Sequence, residues 1–242
     1  GSGSDGISIE DADTQISSTE GSISLTGIAS GGTAGDGVEI EPGVTLAIDA
    51  NGAADLTVTG TGDGVDVGVQ IASPITSETG FVTIRSEDGG SSTDDITFGT
   101  LGNISSTSGT VTIDADTAGT SADVFMASGA VINAGSGLID VDADVDVTIT
   151  SLFTGGAGGN VQLNAIAGEI IDGNAGATNI TAAAGTLTAS AATGIDLDTT
   201  ITTVTSATVS GIGAIDISDT AGGLAVSNAT TNDGTPSGSG SG

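Results

Sequence analysis

The chain has 242 residues, 42 of them glycine and none cysteine, and carries a formal net charge of −30 from 31 acidic side chains against a single arginine, Arg85. Neither a disulfide framework nor thiol chemistry is available, and a surface with no lysine or histidine repels nucleic acid and anionic membranes. No apolar run reaches the roughly 18 residues of a membrane span. No 3.6-residue stripe survives more than a turn, so the composition excludes a helical protein and points to β-strands joined by glycine-rich corners.

In chain order, a Gly/Ser linker at 1–4 leads into SDGISI (4–9), an Asp-Gly turn before a short strand at Ile7–Ile9. The phrase that recurs to the far end comes next: an isoleucine, four small or polar residues, a glycine, one more residue, then an aliphatic strand start. It reads ISSTEGSI (16–23), ITSETGFV (75–82), ISSTSGTV (104–111), INAGSGLI (132–139) and ITAAAGTL (180–187). Its glycines, Gly21, Gly80, Gly109, Gly137 and Gly185, are expected at corners, where positive φ is often required. Behind each corner the residues alternate, as in Val82-Thr83-Ile84 and Val111-Thr112-Ile113, which sets aliphatics on one face and polar groups on the other.

Degenerate copies of the phrase lie near Leu56-Thr57-Val58 and Val161-Gln162-Leu163. A third strand is read at Ile7–Ile9, Val38–Ile40, 65–67, Ile96–Phe98, Val124–Met126, Val147–Ile149, Ile170, 195–197 and 215–217. The Asp-Gly turn returns as GDGVEI (35–40) and GDGVDV (62–67). From residue 145 the units are shorter and richer in Ala and Asn, so corner loops are expected to be lost there. Leu224-Ala225-Val226 reads as a last partial strand, and 232–242 as a second Gly/Ser-rich linker. Residue 1 is Gly rather than Met, so a processed chain or an excerpt is expected.

Phrase starts fall 29 residues apart (Ile75 to Ile104) and 28 apart (Ile104 to Ile132); the gaps of 59 (Ile16 to Ile75) and 48 (Ile132 to Ile180) each fit two units. Units of about 20–50 residues, too small to bury a face alone, indicate a solenoid. The expected fold is an all-β parallel β-helix of about eight three-strand coils over 5–231, a rod on the order of 40 Å long at about 4.8 Å per coil. An antiparallel sandwich is the competing reading; recurrence of a whole three-strand unit favours the solenoid.

Catalysis has little to work with: the many serines lack a histidine or lysine as base, and no thiol is present. The expectation is no enzyme, with carboxylate-based polysaccharide cleavage the one class formally open. The four phenylalanines, Phe81, Phe98, Phe125 and Phe153, are expected in the core or covering a rod end. Stacked corner acids would repel unless protonated or bridged. Calcium, with its oxygen ligands, would suit Asp36, Asp63, Asp94, Asp95 and Asp123; an outward, solvated Asp row is the alternative. Asn103, Asn179 and Asn228 begin Asn-x-Ser/Thr sequons and are glycosylation candidates.

The phrase I-x4-G-x-V-x-I-x-A, with glycine-rich corners and Thr/Asp outer faces, resembles the repeats of filamentous-haemagglutinin-like exoproteins and large bacterial surface adhesins. That resemblance implies a right-handed parallel β-helix, export, and a place on the cell surface or in an extracellular matrix. The expected role is a rod-forming segment of an extracellular filament or giant surface protein, continued by more repeats or by end-to-end self-association. Divalent cations are the expected small partners, with neither nucleic acid nor membrane insertion. An adhesive module for a glycan or receptor is the alternative.

Overall fold

A computed structural model of the chain describes residues 4–30, 35–45, 47–62, 66–87, 95–115, 121–156, 159–220 and 222–232. Three strands make the first turn: β1 (Ile7–Ile9), β2 (Ile16–Ser18) and β3 (Ile23–Ile28). The second turn is β4 (Val38–Ile40), β5 (Ile48–Ala50) and β6 (Leu56–Thr61), and the third β7 (Val69–Ile71), β8 (Ile75–Ser77) and β9 (Val82–Ser86). The fourth holds β10 (Ile96–Phe98), β11 (Ile104–Ser106) and β12 (Val111–Ala115); the fifth β13 (Val124–Met126), β14 (Ile132–Asn133) and β15 (Ile139–Ala143). The sixth is β16 (Val147–Ile149), β17 (Leu152–Phe153) and β18 (Val161–Ala165). Later turns fuse their strands: β19 (Glu169–Asp172) with β20 (Ile180–Ala191), then β21 (Gly194–Val209) alone, then β22 (Ile215–Asp219), β23 (Ala225–Val226) and β24 (Ala229–Thr231).

Every pairing between these strands is parallel and joins a strand to its counterpart in the next turn. One face runs β1-β4-β7-β10-β13-β16-β19-β21-β22, which gives nine turns among the described residues. The chain is a parallel β-solenoid. Partners along that face (Ile7, Val38, Val69, Ile96, Val124, Val147, Ile170, Ile195, Ile215) lie 31, 31, 27, 28, 23, 23, 25 and 20 residues apart. The shortening is the loss of corner loops: β20 bends round two faces and β21 round all three without a break.

The phrase isoleucines form one column. Ile16, Ile48, Ile75, Ile104, Ile132, Leu152 and Ile180 are successive partners, with Ile48 and Leu152 filling the two long gaps. The degenerate copies fall in the next column, Ile23-Leu56-Val82-Val111-Ile139-Val161-Leu187. Interior members of both columns are fully buried, and alternation at period two turns Thr, Ser, Asp and Asn outward between them. Each such aliphatic is worth about 1.5–3 kcal/mol relative to exposure.

Three expectations are corrected. The strand expected at 65–67 is β7 at Val69–Ile71, the first of the third turn; Asp66 and Val67 lie outside any strand, and residue 65 lies outside the described residues. GVQI (68–71) matches the second turn's GVEI (37–40) as well as GDGVDV does, and placing it in the sheet stacks Gln70 on Glu39. Val67 stays in the corner, donating its N–H to Asp36 Oδ1 and accepting from Gly37 N. Second, none of the five phrase glycines is among the described residues with positive φ. What they supply is room. A Cβ on Gly80, Gly109, Gly137 or Gly185 would lie 2.0, 1.8, 2.1 or 1.8 Å from a carbonyl oxygen of the preceding turn. Third, only Phe98 is buried; Phe81, Phe125 and Phe153 are 59, 40 and 39% exposed.

Candidate functional sites at the corners and on the acidic faces

The corner after the second strand is closed by the side chain two residues past the phrase isoleucine. Ser18, Ser77 and Ser106 reach the glycine three residues on: Ser77 Oγ donates to Gly80 O at 3.1 Å, and Gly109 N donates to Ser106 Oγ at 2.9 Å. Thr154 does the same with Gly159 O at 2.7 Å. Those of Ser77, Ser106 and Thr154 are buried and that of Ser18 is half-buried; all are engaged in closing the bend rather than set out as nucleophiles.

The predicted acid corner separates into two positions. Gly37, Gly68, Asp95, Asp123 and Asp146 occupy one column, each carbonyl accepting from the strand of the turn before, while Asp36 sits one residue earlier. Their carboxylates serve as brackets between turns. Asp36 Oδ1 accepts from Val67 N (3.2 Å), Asp123 Oδ1 from Asp146 N (2.8 Å) and Asp146 Oδ1 from Glu169 N (2.7 Å). Of the calcium candidates, Asp63 and Asp94 lie outside the described residues. Asp95 and Asp123 are neighbours in the column, and Asp36 is two turns from Asp95 with Gly68 between. Among the described residues no group of three or more acidic side chains is arranged to hold a metal ion.

The sequons divide in the same way. Asn103 Oδ1 accepts from Val131 N at 2.8 Å, linking adjacent turns. Asn179 has no exposed surface; its Nδ2 donates to Ile149 O and Asp172 Oδ1, and its Oδ1 accepts from Asp198 N. Both of these donor bonds use the Asn179 Nδ2 that an N-linked glycan would occupy. Asn228 is exposed, with Nδ2 3.3 Å from Ser206 Oγ.

Sequence reasoning missed the acids of the outer faces. Glu39 on β4 is pushed up to about 7, by burial first and then by Glu41, Asp36 and Asp5. Burial, with Asp114 nearby, raises Asp140; burial, with Asp216, Asp172 and Asp198, raises Asp196. Asp36 is raised by burial despite hydrogen bonds from Gln70 and Val67. Burial acts to raise Asp172 too, but hydrogen bonds from Asn179 and from the backbone of Asn174, Gly176 and Ala175 outweigh it and hold it low. Strict alternation marks these positions as outward; which acids meet across turns depends on a register that local patterning does not contain. Glu169, Asp196 and Asp216 also line a shallow hollow of about 350 Å³ on the first face. The sole cation, Arg85, lies 3.8 Å from both Glu87 and Asp114.

Comparison of the chain with protein-family models, with curated proteins and with solved structures gave no match.

Proposed function

We propose that the chain is a rod-forming structural segment of an extracellular filament, matrix or giant cell-surface protein. The observation that carries this reading is the recurring parallel register: turn follows turn from β1 to β22 over a continuous column of buried aliphatics, with register shifts where β20 meets β21. A surface built this way supplies length and solubility. Like-charged outer faces would keep neighbouring rods apart sideways and leave end-to-end continuation as the mode of growth. Electron microscopy of the isolated material tests this reading. End-to-end filaments support it; dispersed single-chain rods that bind one glycan or receptor tightly would replace it with an adhesive module.

One observation favours that second reading, the exposure of Phe81, Phe125 and Phe153. Register puts Phe125 on the first face beside Thr97 and Phe153 on the second beside Asn133, with Phe81 at the corner before β9. They are therefore scattered rather than gathered into one contact patch. Divalent cations are proposed as counter-ions of the acidic faces, with Asp36, Asp95 and Asp123 the first positions to examine. Melting with calcium and with chelator, at fixed ionic strength, separates a bound ion from general screening.

A further inference from the structure

The corner between β5 and β6 departs from the repeated phrase. Ser18, Ser77 and Ser106 close this corner in the first, third and fourth turns, but their counterpart in the second is Ala50, which has no hydroxyl. The chain runs on as Asn51-Gly52-Ala53-Ala54, with Ala54 N donating to Asn51 O at 3.3 Å and Gly52 at a φ of 65°. Asn51 is exposed, and Asn51-Gly52 is the one Asn-Gly pair in the sequence.

Carboxylates of two neighbouring turns hold the two nitrogens of this pair. Gly52 N donates to Glu78 Oε2 of the third turn at 2.8 Å, and Asn51 Nδ2 donates to Asp49 Oδ2 at 2.9 Å. Asp49 is itself fixed by Thr76 Oγ1 at 2.8 Å. The Asp-Gly pairs among the described residues are held differently: Gly6, Gly37 and Gly173 each give their N–H to a main-chain carbonyl of the adjacent turn. Asn103 and Asn179 are each followed by a buried isoleucine, whose side chain crowds any approach of its main-chain nitrogen. Gly52 has no Cβ to do so.

We infer that Asn51-Gly52 is a self-modifying site, at which the main-chain nitrogen of Gly52 closes on the Asn51 side chain with Glu78 as general base. Glu78 takes the proton from Gly52 N, the nitrogen bonds to Asn51 Cγ, and the Cγ–Nδ2 bond breaks. Nδ2 leaves as ammonia, carrying the proton that Glu78 returns. The product is a five-membered imide, which water opens at either carbonyl. Position 51 then holds aspartate or, with one more carbon in the main chain, isoaspartate. The chain has no lysine or cysteine, so no amine or thiol side chain of a second copy competes with water for the imide. Asn51 N donates to Ser18 O at 2.8 Å, and Gly52 O accepts from Thr79 N and Oγ1 at 2.9 and 2.8 Å, so this corner ties three turns together. Isoaspartate lengthens the chain between those ties and adds a charge beside Asp49 and Glu78, which loosens the corner. This holds whether or not the rod belongs to a larger fibre.

Peptide mapping by mass spectrometry on the full chain, incubated at neutral pH and sampled over days, tests the site. The expected result is aspartate and isoaspartate accumulating at position 51 while Asn103 and Asn179 stay intact. Isoaspartate, which direct hydrolysis of the amide cannot give, marks passage through the imide. Conversion should be faster in the folded chain than in urea, where Glu78 is no longer held beside Gly52. Glu78→Gln should slow the folded chain by about tenfold, short of the roughly hundredfold to ten-thousandfold of a well-placed general base because Glu78 is exposed. A folded chain that converts no faster than the chain in urea, or a Glu78→Gln variant that converts as fast as the native chain, would overturn the proposal.

Discussion

Two copies of nearly the same hexapeptide, ISSTEG at 16–21 and ISSTSG at 104–109, occupy equivalent corners in the first and fourth turns. Locally they are built alike, with Gly21 N donating to Ser18 Oγ at 3.0 Å and Gly109 N to Ser106 Oγ at 2.9 Å. Their surroundings differ. Ile104 is buried between Ile75 and Ile132, whereas Ile16 is only partly covered. A Cβ on Gly109 would fall 1.8 Å from Gly80 O, whereas on Gly21 the nearest atom is Ser18 Oγ at 3.5 Å. Neither copy has positive φ. The difference shows that the phrase is written for stacking: its isoleucine and glycine are needed because another turn lies against them.

The largest effect that sharpens this contrast comes from the isoleucines. Ile104→Ala should cost about 2–5 kcal/mol, the usual range for truncating a fully buried aliphatic. Ile16→Ala should cost clearly less, because its site is already open on one side. Denaturant unfolding of the two variants measures both. Equal losses would break the comparison.

Next come the glycines. Gly109→Ala must push a main-chain carbonyl aside and should cost at least the upper part of the roughly 1–3 kcal/mol seen for overpacking. Gly21→Ala should stay within about 0.5 kcal/mol of the native chain, as at an ordinary surface site. Had glycine been chosen for backbone freedom, the two substitutions would cost the same. Thermal melting of the pair distinguishes the explanations.

That contrast also marks the limit of what the sequence makes legible. Periodicity two and the recurring phrase were enough to place Ile75, Ile104 and Ile132 in one column and to fill the long gaps with extra turns. Glycine at a bend has two physical uses, and only the neighbouring turn reveals which applies. The strand at Val69–Ile71 was hidden because two Gly-Val segments lie four residues apart, and side-chain stacking across turns chooses between them. The exposed phenylalanines were partly legible: in Val124-Phe125-Met126 the alternation already turns Phe125 outward. Contacts such as Asp36 with Asp5 or Asp198 with Asn179 join residues distant along the chain, which no local pattern records.

The smallest effect concerns the acidic faces of the interior and later turns. Asp140 and Asp196 are both raised, so the folded rod holds protons that the unfolded chain has lost, and stability should fall as pH rises from mild acid. Asp172 acts in the opposite sense, withdrawing stability only as pH drops through its lowered value. The melting temperature should therefore fall as pH rises above the ordinary Asp value of 3.8. Asp140→Asn should reduce that fall.

The central claim, that turns stack in register along one axis, is tested most directly by distances between spin labels. The absence of native cysteine lets single sites be labelled cleanly. Thr57, Thr83, Thr112, Asp140, Gln162 and Thr188 are successive partners on the third face. Labels at residues 57 and 162, four turns apart, should lie about 19 Å apart, and labels at 57 and 188 about 24 Å apart, at about 4.8 Å per turn. A constant increment per turn is the expected result; distances that do not grow with the number of turns would contradict the solenoid.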